Sequence, residues 1–288
     1  MARTKTGQDP AVRVYTPHKA GLPNLREYFA EVLKRLDFAR ELSDTNMRAG
    51  NTNTVLGQAW LIINPLLLAA VYFLLIMVIS GRGGSGGLDT FAGIAGGLFV
   101  YFLMSGAVQS CATSVTNAGS LILNMNFPKQ LLIISNVYLA LRRFVPTMLV
   151  YLVIHALSGR AWTWHMLWIP FVVLLVALFS VGLGSIIATW HVYFRDTAQF
   201  LPYFIRIWMY LSPVLFTAEM FLDRVGPTIG QFANLNPLFS ILGIWGDVIG
   251  GSAPQLQYVL IGTAWAVGTC VIGVLYFISR ERDFAVRL

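Results

Sequence analysis

Charge is scarce in this chain. Only 11% of its 288 residues are Asp, Glu, Lys or Arg, where a soluble domain carries about a quarter. With 56% hydrophobic residues and a mean hydropathy of +0.66, that scarcity excludes an ordinary water-soluble globule and points to a bilayer. Cysteine is nearly absent as well. Cys111 and Cys270 both fall inside apolar segments, which excludes a disulfide framework and a thiolate metal site. No stretch reads G-x-x-x-x-G-K-[ST]. The glycine-rich GRGGSGGLD at 81–89 lacks the lysine and hydroxyl that contact phosphate and magnesium, so it reads as a turn. His155, His165 and His191 are scattered near segment ends without metal spacing. Paired carboxylates are missing from the apolar segments, which excludes an intramembrane acid–base site. Any energy-driven work must draw its energy from another chain.

What the chain has is long apolar runs. Trp60–Ser80 is free of charge, and its 21 residues reach about 30 Å as a helix, the thickness of a bilayer core. Further spans are expected near 91–114, 131–156, 166–190, 198–217 and 256–279, with a short half-apolar helix near 119–127. Residues 218–255 carry Gly226, Pro227, Gly230, Pro237 and Gly243, too broken for a span and too apolar for a solvated loop. Short re-entrant or outer helices fit, because irregular backbone at that depth must be buried or line a cavity. The expected fold is therefore an all-α polytopic membrane protein of six spans in a domain over 54–280, with tails at 1–23 and 281–288. The first 24 residues are basic and polar with no apolar core, so no cleavable signal peptide is expected.

The net charge of +7 has an address. Nine Lys/Arg precede the first span, Lys129 and Arg195 fall in two further loops of the same side, and three follow the sixth span, against Arg82, Arg160 and Arg224 opposite. This asymmetry places both termini in the cytoplasm and suits a membrane surface, not nucleic acid.

Ahead of the first span, 24–45 reads as one amphipathic helix. Leu25, Phe29, Val32, Leu36 and Ala39 recur at helical spacing among charged residues. Asn24 and Glu27 form a capping-box pattern, and Glu31 stands four residues before Arg35, a supporting ion pair. The helix is read as lying on the inner membrane face, or alternatively as a solvated helix folded over the bundle. In HVYFRDTAQF, 191–200, Arg195 and Asp196 sit at the inner tip of the hairpin between spans four and five. One Arg would serve as a topology signal; the adjacent acid adds nothing to that, whereas both signs together suit docking of a protein.

TVLGQAWLIINPLL (54–67), FPK (127–129), YFRDTAQFLPYFIRIWMYLSPVLF (193–216) and LNPLF (235–239) resemble the signature stretches of ABC-2 type permeases, in order and spacing, over residues 24–280. The likeness is to the subfamily exporting lipid-linked polysaccharides (O-antigen, teichoic acid, galactan), and within it to galactan exporters of mycobacteria. The resemblance implies a homodimer in the bacterial plasma (inner) membrane, bound to two copies of a separate nucleotide-binding ATPase that carries ATP and Mg. This chain itself would bind no cofactor and no metal. The resemblance also implies that Glu27, Glu31 and Arg35 of the amphipathic helix, Ser120, Asn124 and Asn126 of the 119–127 segment, and Arg195 and Asp196 meet that ATPase. It makes the 218–255 pieces short gating helices near the outer mouth. Family members often carry a basic stretch before the first span, where this chain has AGNTNT after Arg48.

Candidate residues for the substrate path are Arg142, Arg143, Tyr203, Arg206, Trp208 and Tyr210. If span three begins near Leu131, Arg142 lies about 16 Å along it, near the bilayer middle, with no acid in another span to pair it. The alternative is that the helix starts further into the cytoplasm and both arginines snorkel to the headgroups. The aromatics of span five either let sugar rings slide past or serve as lipid-facing belts and packing. Two other functions stay open: a drug or small-lipid exporter of the same fold, and a polyprenyl-phosphate-dependent membrane glycosyltransferase.

Overall fold

The computed structural model describes residues 24–50, 56–79 and 87–288; the tail 1–23, the stretch 51–55 and most of the glycine-rich turn lie outside the described residues. Among the described residues the chain is helical, without strands. Five stretches are long and apolar enough to cross a membrane: Gly57–Leu75, Gly87–Ala112, Gln130–Leu157, Trp164–Tyr193 and Leu256–Arg287. They contain α3 (Trp60–Ile79), α4 (Gly87–Ala112), α7 (Gln130–Leu157), α8 (Ile169–Tyr193) and α12 (Leu256–Arg280). α4 is wrapped by its neighbours, while α3 sits at the edge with most of its surface uncovered.

Glycine sets how closely these helices approach. A Cβ added at Gly273 on α12 would stand 2.0 Å from the Gly182 carbonyl oxygen, and one at Gly182 on α8 would stand 2.2 Å from that of Thr269. The two backbones therefore touch, as small residues permit where apolar lipid provides no hydrophobic drive between helices. On α4, Gly96 makes room for Tyr151 and Trp245, and Gly97 for the Val214 carbonyl.

The expected fifth span, 198–217, is not one helix. α9 (Thr197–Tyr210) has 14 residues, about 21 Å, short of a bilayer core. The chain turns at Leu211–Ser212–Pro213, where Ser212 Oγ donates to the Trp208 carbonyl and the Val214 N–H closes onto the Ser212 carbonyl at 2.7 Å. Pro213 cannot donate the hydrogen bond that a continuing helix needs. α10 (Ala218–Ala233) and α11 (Pro237–Ile249) follow. A Cβ at Gly230 would come within 2.8 Å of Leu222 Cδ2. Eight residues of straight helix would separate them by about 12 Å, so α10 is sharply bent across the segment that contains Pro227. α11 is buried along most of its length against α4, α8 and α12.

The amphipathic segment forms two helices, α1 (Leu25–Lys34) and α2 (Leu36–Ala49), broken at Arg35. The apolar period runs through the break, so spacing alone shows one helix. Val32, Ala39 and Ser43 are buried on one seam, α2 packs along α7, and Phe38 meets Phe127 at 5.1 Å between ring centres. The bundle covers this seam, while Phe29 and Leu33 of α1 remain exposed. The Asn24 side chain does not cap the helix; its amide donates to Glu27 Oε1 at 2.8 Å.

Candidate functional site

The end of the bundle that gathers Lys129, Arg195 and the C-terminus is built around one buried carboxylate. Glu281, 7% exposed, follows α12 directly. Its Oε1 accepts the Lys129 backbone N–H at 2.8 Å and faces Lys129 Nζ at 3.6 Å; its Oε2 accepts the Tyr28 hydroxyl, 253 positions away in the chain. Burial and the adjacent carboxylate push the Tyr28 phenol far above its ordinary range, so Tyr28 is the donor. The Gln130 N–H points at the Tyr28 oxygen at 3.4 Å, and its side chain donates to Ser185 Oγ of α8 at 3.0 Å. Four parts of the chain, α1, the FPK turn, α8 and the C-terminal segment, thereby close on one another. A charge this buried stands only when hydrogen bonds satisfy it.

The C-terminal segment, expected as a tail, is ordered. α13 (Phe284–Arg287) inserts Phe284 fully against Phe277, with 5.0 Å between ring centres. Tyr193 donates to Asp283 at 3.0 Å, and the Arg287 guanidinium stacks 4.3 Å over the Tyr193 ring. A Cβ on Gly119, which opens α6 (Gly119–Asn124), would reach Leu288. No hydropathy pattern marks these contacts.

Around this core lies an exposed polar surface. The Glu31–Arg35 pair forms at 2.9 Å, and Arg35 also donates to the Asn126 carbonyl at 2.8 Å, tying the amphipathic segment to the FPK turn. Glu27, Ser120, Asn124 and Asn126 are exposed nearby in the chain segments so joined, with the Asn124 amide donating to the Ser120 carbonyl. α5 (Ser114–Asn117) links α4 to this surface and packs on α7 and α8. Arg195 and Asp196 stand exposed between α8 and α9; neither enters an ion pair among the described residues, and the Asp196 backbone carbonyl accepts the N–H groups of Gln199 and Phe200 at the start of α9. Phe194 beside them is 71% exposed. Two charges of opposite sign and a bare aromatic ring thus stand exposed side by side.

The path candidates fall in two places. Arg142 pairs with Asp44 of α2, 98 positions away, an acid of the amphipathic segment and not of another span. Arg143 shares a cavity of about 310 Å³ with Trp60, Leu61 and Asn64, the first turns of α3, and Thr147 one turn on donates to the Leu61 carbonyl at 3.2 Å. On α9, Leu201, Ile205 and Met209 face inward, while Phe200, Tyr203, Phe204, Arg206 and Tyr210 are exposed. Tyr210 meets Tyr72 of α3, hydroxyl to hydroxyl at 3.4 Å. Trp208 differs: its indole donates to Asn236 Oδ1 at 2.8 Å, and Asn236 also caps α11 and donates to Leu211 and Ser212. Trp208 therefore holds the junction between α10 and α11, beside a hollow of about 500 Å³ lined by Leu211, Phe221, Phe232 and Phe239. Among the described residues no cluster of His, Cys, Asp or Glu could hold a metal ion.

Comparison with known proteins agrees with this architecture. Residues 42–244 match the family model described as ABC-2 type transporter. An O-antigen export system permease protein RfbA of Klebsiella pneumoniae is 24% identical over 249 residues, covering 85% of this chain and 92% of that protein. One of Myxococcus xanthus is 28% identical over 245 residues, with the same coverage. The family match takes in well over half of the chain: this chain belongs to the ABC-2 type transporter family.

Proposed function

We propose that the chain is the permease of an ATP-driven exporter that moves lipid-linked polysaccharide, galactan in particular, from the cytoplasmic to the outer side of the plasma membrane. Two copies face each other, and two copies of a separate ATPase dock on the basic end, which is cytoplasmic. The observation that carries the reading is the basic end itself. α1, the FPK turn, α8 and the C-terminal segment close on one another around Glu281, while Arg195, Asp196 and Phe194 stay uncovered. A push on that surface reaches α7, α8 and α12 together, because each contributes to this closure. The chain supplies no nucleotide motif of its own, so the push comes from the companion that hydrolyses ATP with Mg as its cofactor.

The exposed aromatic ladder of α9, Phe200, Tyr203, Phe204 and Tyr210 with Arg206, lines the route between the two copies. Flat rings with a polar edge let sugars slide without tight capture. Above it, the α10–α11 re-entry held by Trp208 and Asn236 gates the outer mouth. The glycan's identity is tested by ATPase activity of the reconstituted complex: stimulation by lipid-linked galactan supports the reading, and stimulation by small amphiphiles alone would make this a drug or small-lipid exporter.

The docking role is tested by exchanging the hairpin charges, Arg195→Asp with Asp196→Arg. Net charge and exposure stay the same, so folding and membrane insertion are preserved, while the partner meets inverted signs. Like-charge juxtaposition across an interface costs several kcal/mol, so co-purification of the ATPase is expected to fall at least tenfold, and export with it. Unchanged assembly and export would remove this hairpin from the mechanism.

A further inference from the structure

Two adjacent arginines in α7 have opposite circumstances. Arg142 is neutralised by Asp44 and lies near the Tyr138 ring. The Arg143 side chain makes no hydrogen bond or ion pair among the described residues. It is half-buried and lines the 310 Å³ cavity between α3, α4 and α7, whose other walls are mostly apolar: Leu68, Phe99, Phe102, Leu139 and Phe144 among them. Asn64, Ser110 and Thr147 supply the remaining polar groups, and no carboxylate lines the cavity. A guanidinium against such walls lacks the counter-charge that buried cations ordinarily keep.

Its level and surroundings define what would supply that charge. Trp60, the first residue of α3, lines the cavity, and an aromatic at a span's end sits among lipid headgroups. Leu68, which lines the cavity, is also partly exposed, and it continues into a bare stripe of Leu67, Val71, Leu74 and Leu75 along one face of α3. The volume is at the small end for ligand cavities, about 300–1,000 Å³, and suits a headgroup, not a whole lipid. Gly50, at the end of α2, makes space for the guanidinium: a Cβ there would stand 3.1 Å from Arg143 Nη2.

We propose that this cavity binds the phosphate of a membrane lipid, held by Arg143, with the hydrocarbon tail lying on the apolar stripe of α3. The guanidinium fork matches phosphate oxygens, and Asn64, Ser110 and Thr147 surround the same space with hydrogen-bonding groups. Arg142, with Asp44, positions α2 against α7 and takes no part in the binding. The phosphate site stands on the cavity alone. Its assignment to the carrier lipid of the cargo, as against a bulk phospholipid, rests on the export reading.

The test is native mass spectrometry of the full chain in a maltoside detergent, which brings no phosphate of its own. The probes are polyprenyl diphosphate, phosphatidylglycerol and, as an uncharged control, diacylglycerol. Wild type is expected to retain the phosphate-bearing lipids over diacylglycerol, and Arg143→Gln to weaken that retention about tenfold or more, the scale of a lost charge-assisted contact. Arg143→Lys, which keeps the charge and guards against a folding artefact, is expected to keep most of it. Loss confined to polyprenyl diphosphate assigns the site to the carrier; equal loss for both phosphate lipids assigns it to bulk lipid phosphate. Equal binding by wild type and Arg143→Gln, or diacylglycerol binding as well as the phosphate lipids, overturns the proposal. A failure of the export reading would appear in transport and leave these binding ratios unchanged.

Discussion

Gly273→Ala is expected to abolish recovery of folded protein, while Gly268→Ala, five residues earlier on the same helix, leaves it intact. Helix propensity favours alanine over glycine by about 1 kcal/mol at both positions, so propensity alone predicts two mild gains. Packing decides otherwise at one of them. A Cβ at Gly268 meets nothing within 4 Å, whereas at Gly273 it would lie 2.0 Å from the Gly182 carbonyl oxygen. That neighbour is backbone, which no rotamer change can move. α12 and α8 would have to separate along the most extensive helix contact among the described residues, at a cost of roughly 3 kcal/mol or more. Monodisperse yield in mild detergent after a heating series distinguishes the two variants. Equal yields would mean the helices do not meet backbone to backbone.

Glu281→Gln is expected to release the C-terminal segment and loosen α1. The substitution keeps the shape but removes the charge that Lys129, its backbone N–H and Tyr28 all address. The amide also presents an NH2 to a site furnished with donors only. Leaving a buried lysine without its partner costs about 3–5 kcal/mol in comparable settings, and retained hydrogen bonds offset part of that, giving about 2–4 kcal/mol. Hydrogen exchange should report it locally: protection of residues 284–288 and 25–34 falls, while α4 and α11 keep theirs. Uniform loss across the bundle, or no loss anywhere, would contradict the latch. In the complex, the same variant should bind its ATPase yet export poorly, since the surface remains while its linkage to α7 and α12 is gone.

The crossings were legible because a lipid environment imposes a simple rule: some 20 apolar residues, all backbone groups satisfied within the helix. α3, α4, α7, α8 and α12 obey it, and their positions follow from hydropathy. α9 does not, because hydropathy measures what a segment dissolves in and not whether its backbone continues. Leu211–Ser212–Pro213 is as apolar as a helix there would be, yet it turns. The broken character of 218–255 was visible from its glycines and prolines, and α10 bends accordingly. Long-range pairs were out of reach. Asp44 with Arg142 and Tyr28 with Glu281 join positions 98 and 253 residues apart, and nothing local marks either acid as a partner. For that reason a sequence reading takes Arg142 and Arg143 as two equivalent charges, although the fold neutralises one and leaves the other facing a cavity. The Arg195–Asp196 pair was the converse case. Its oddity was local, and the structure leaves both side chains exposed at a helix hairpin.

The division of labour between gate and motor is tested most directly in proteoliposomes carrying lipid-linked galactan, by measuring glycan that becomes accessible on the opposite face. The account predicts none with this chain alone, with or without ATP, and ATP-dependent transfer once the ATPase subunit is added. Transfer by the purified chain in the absence of any nucleotide-hydrolysing partner would contradict it.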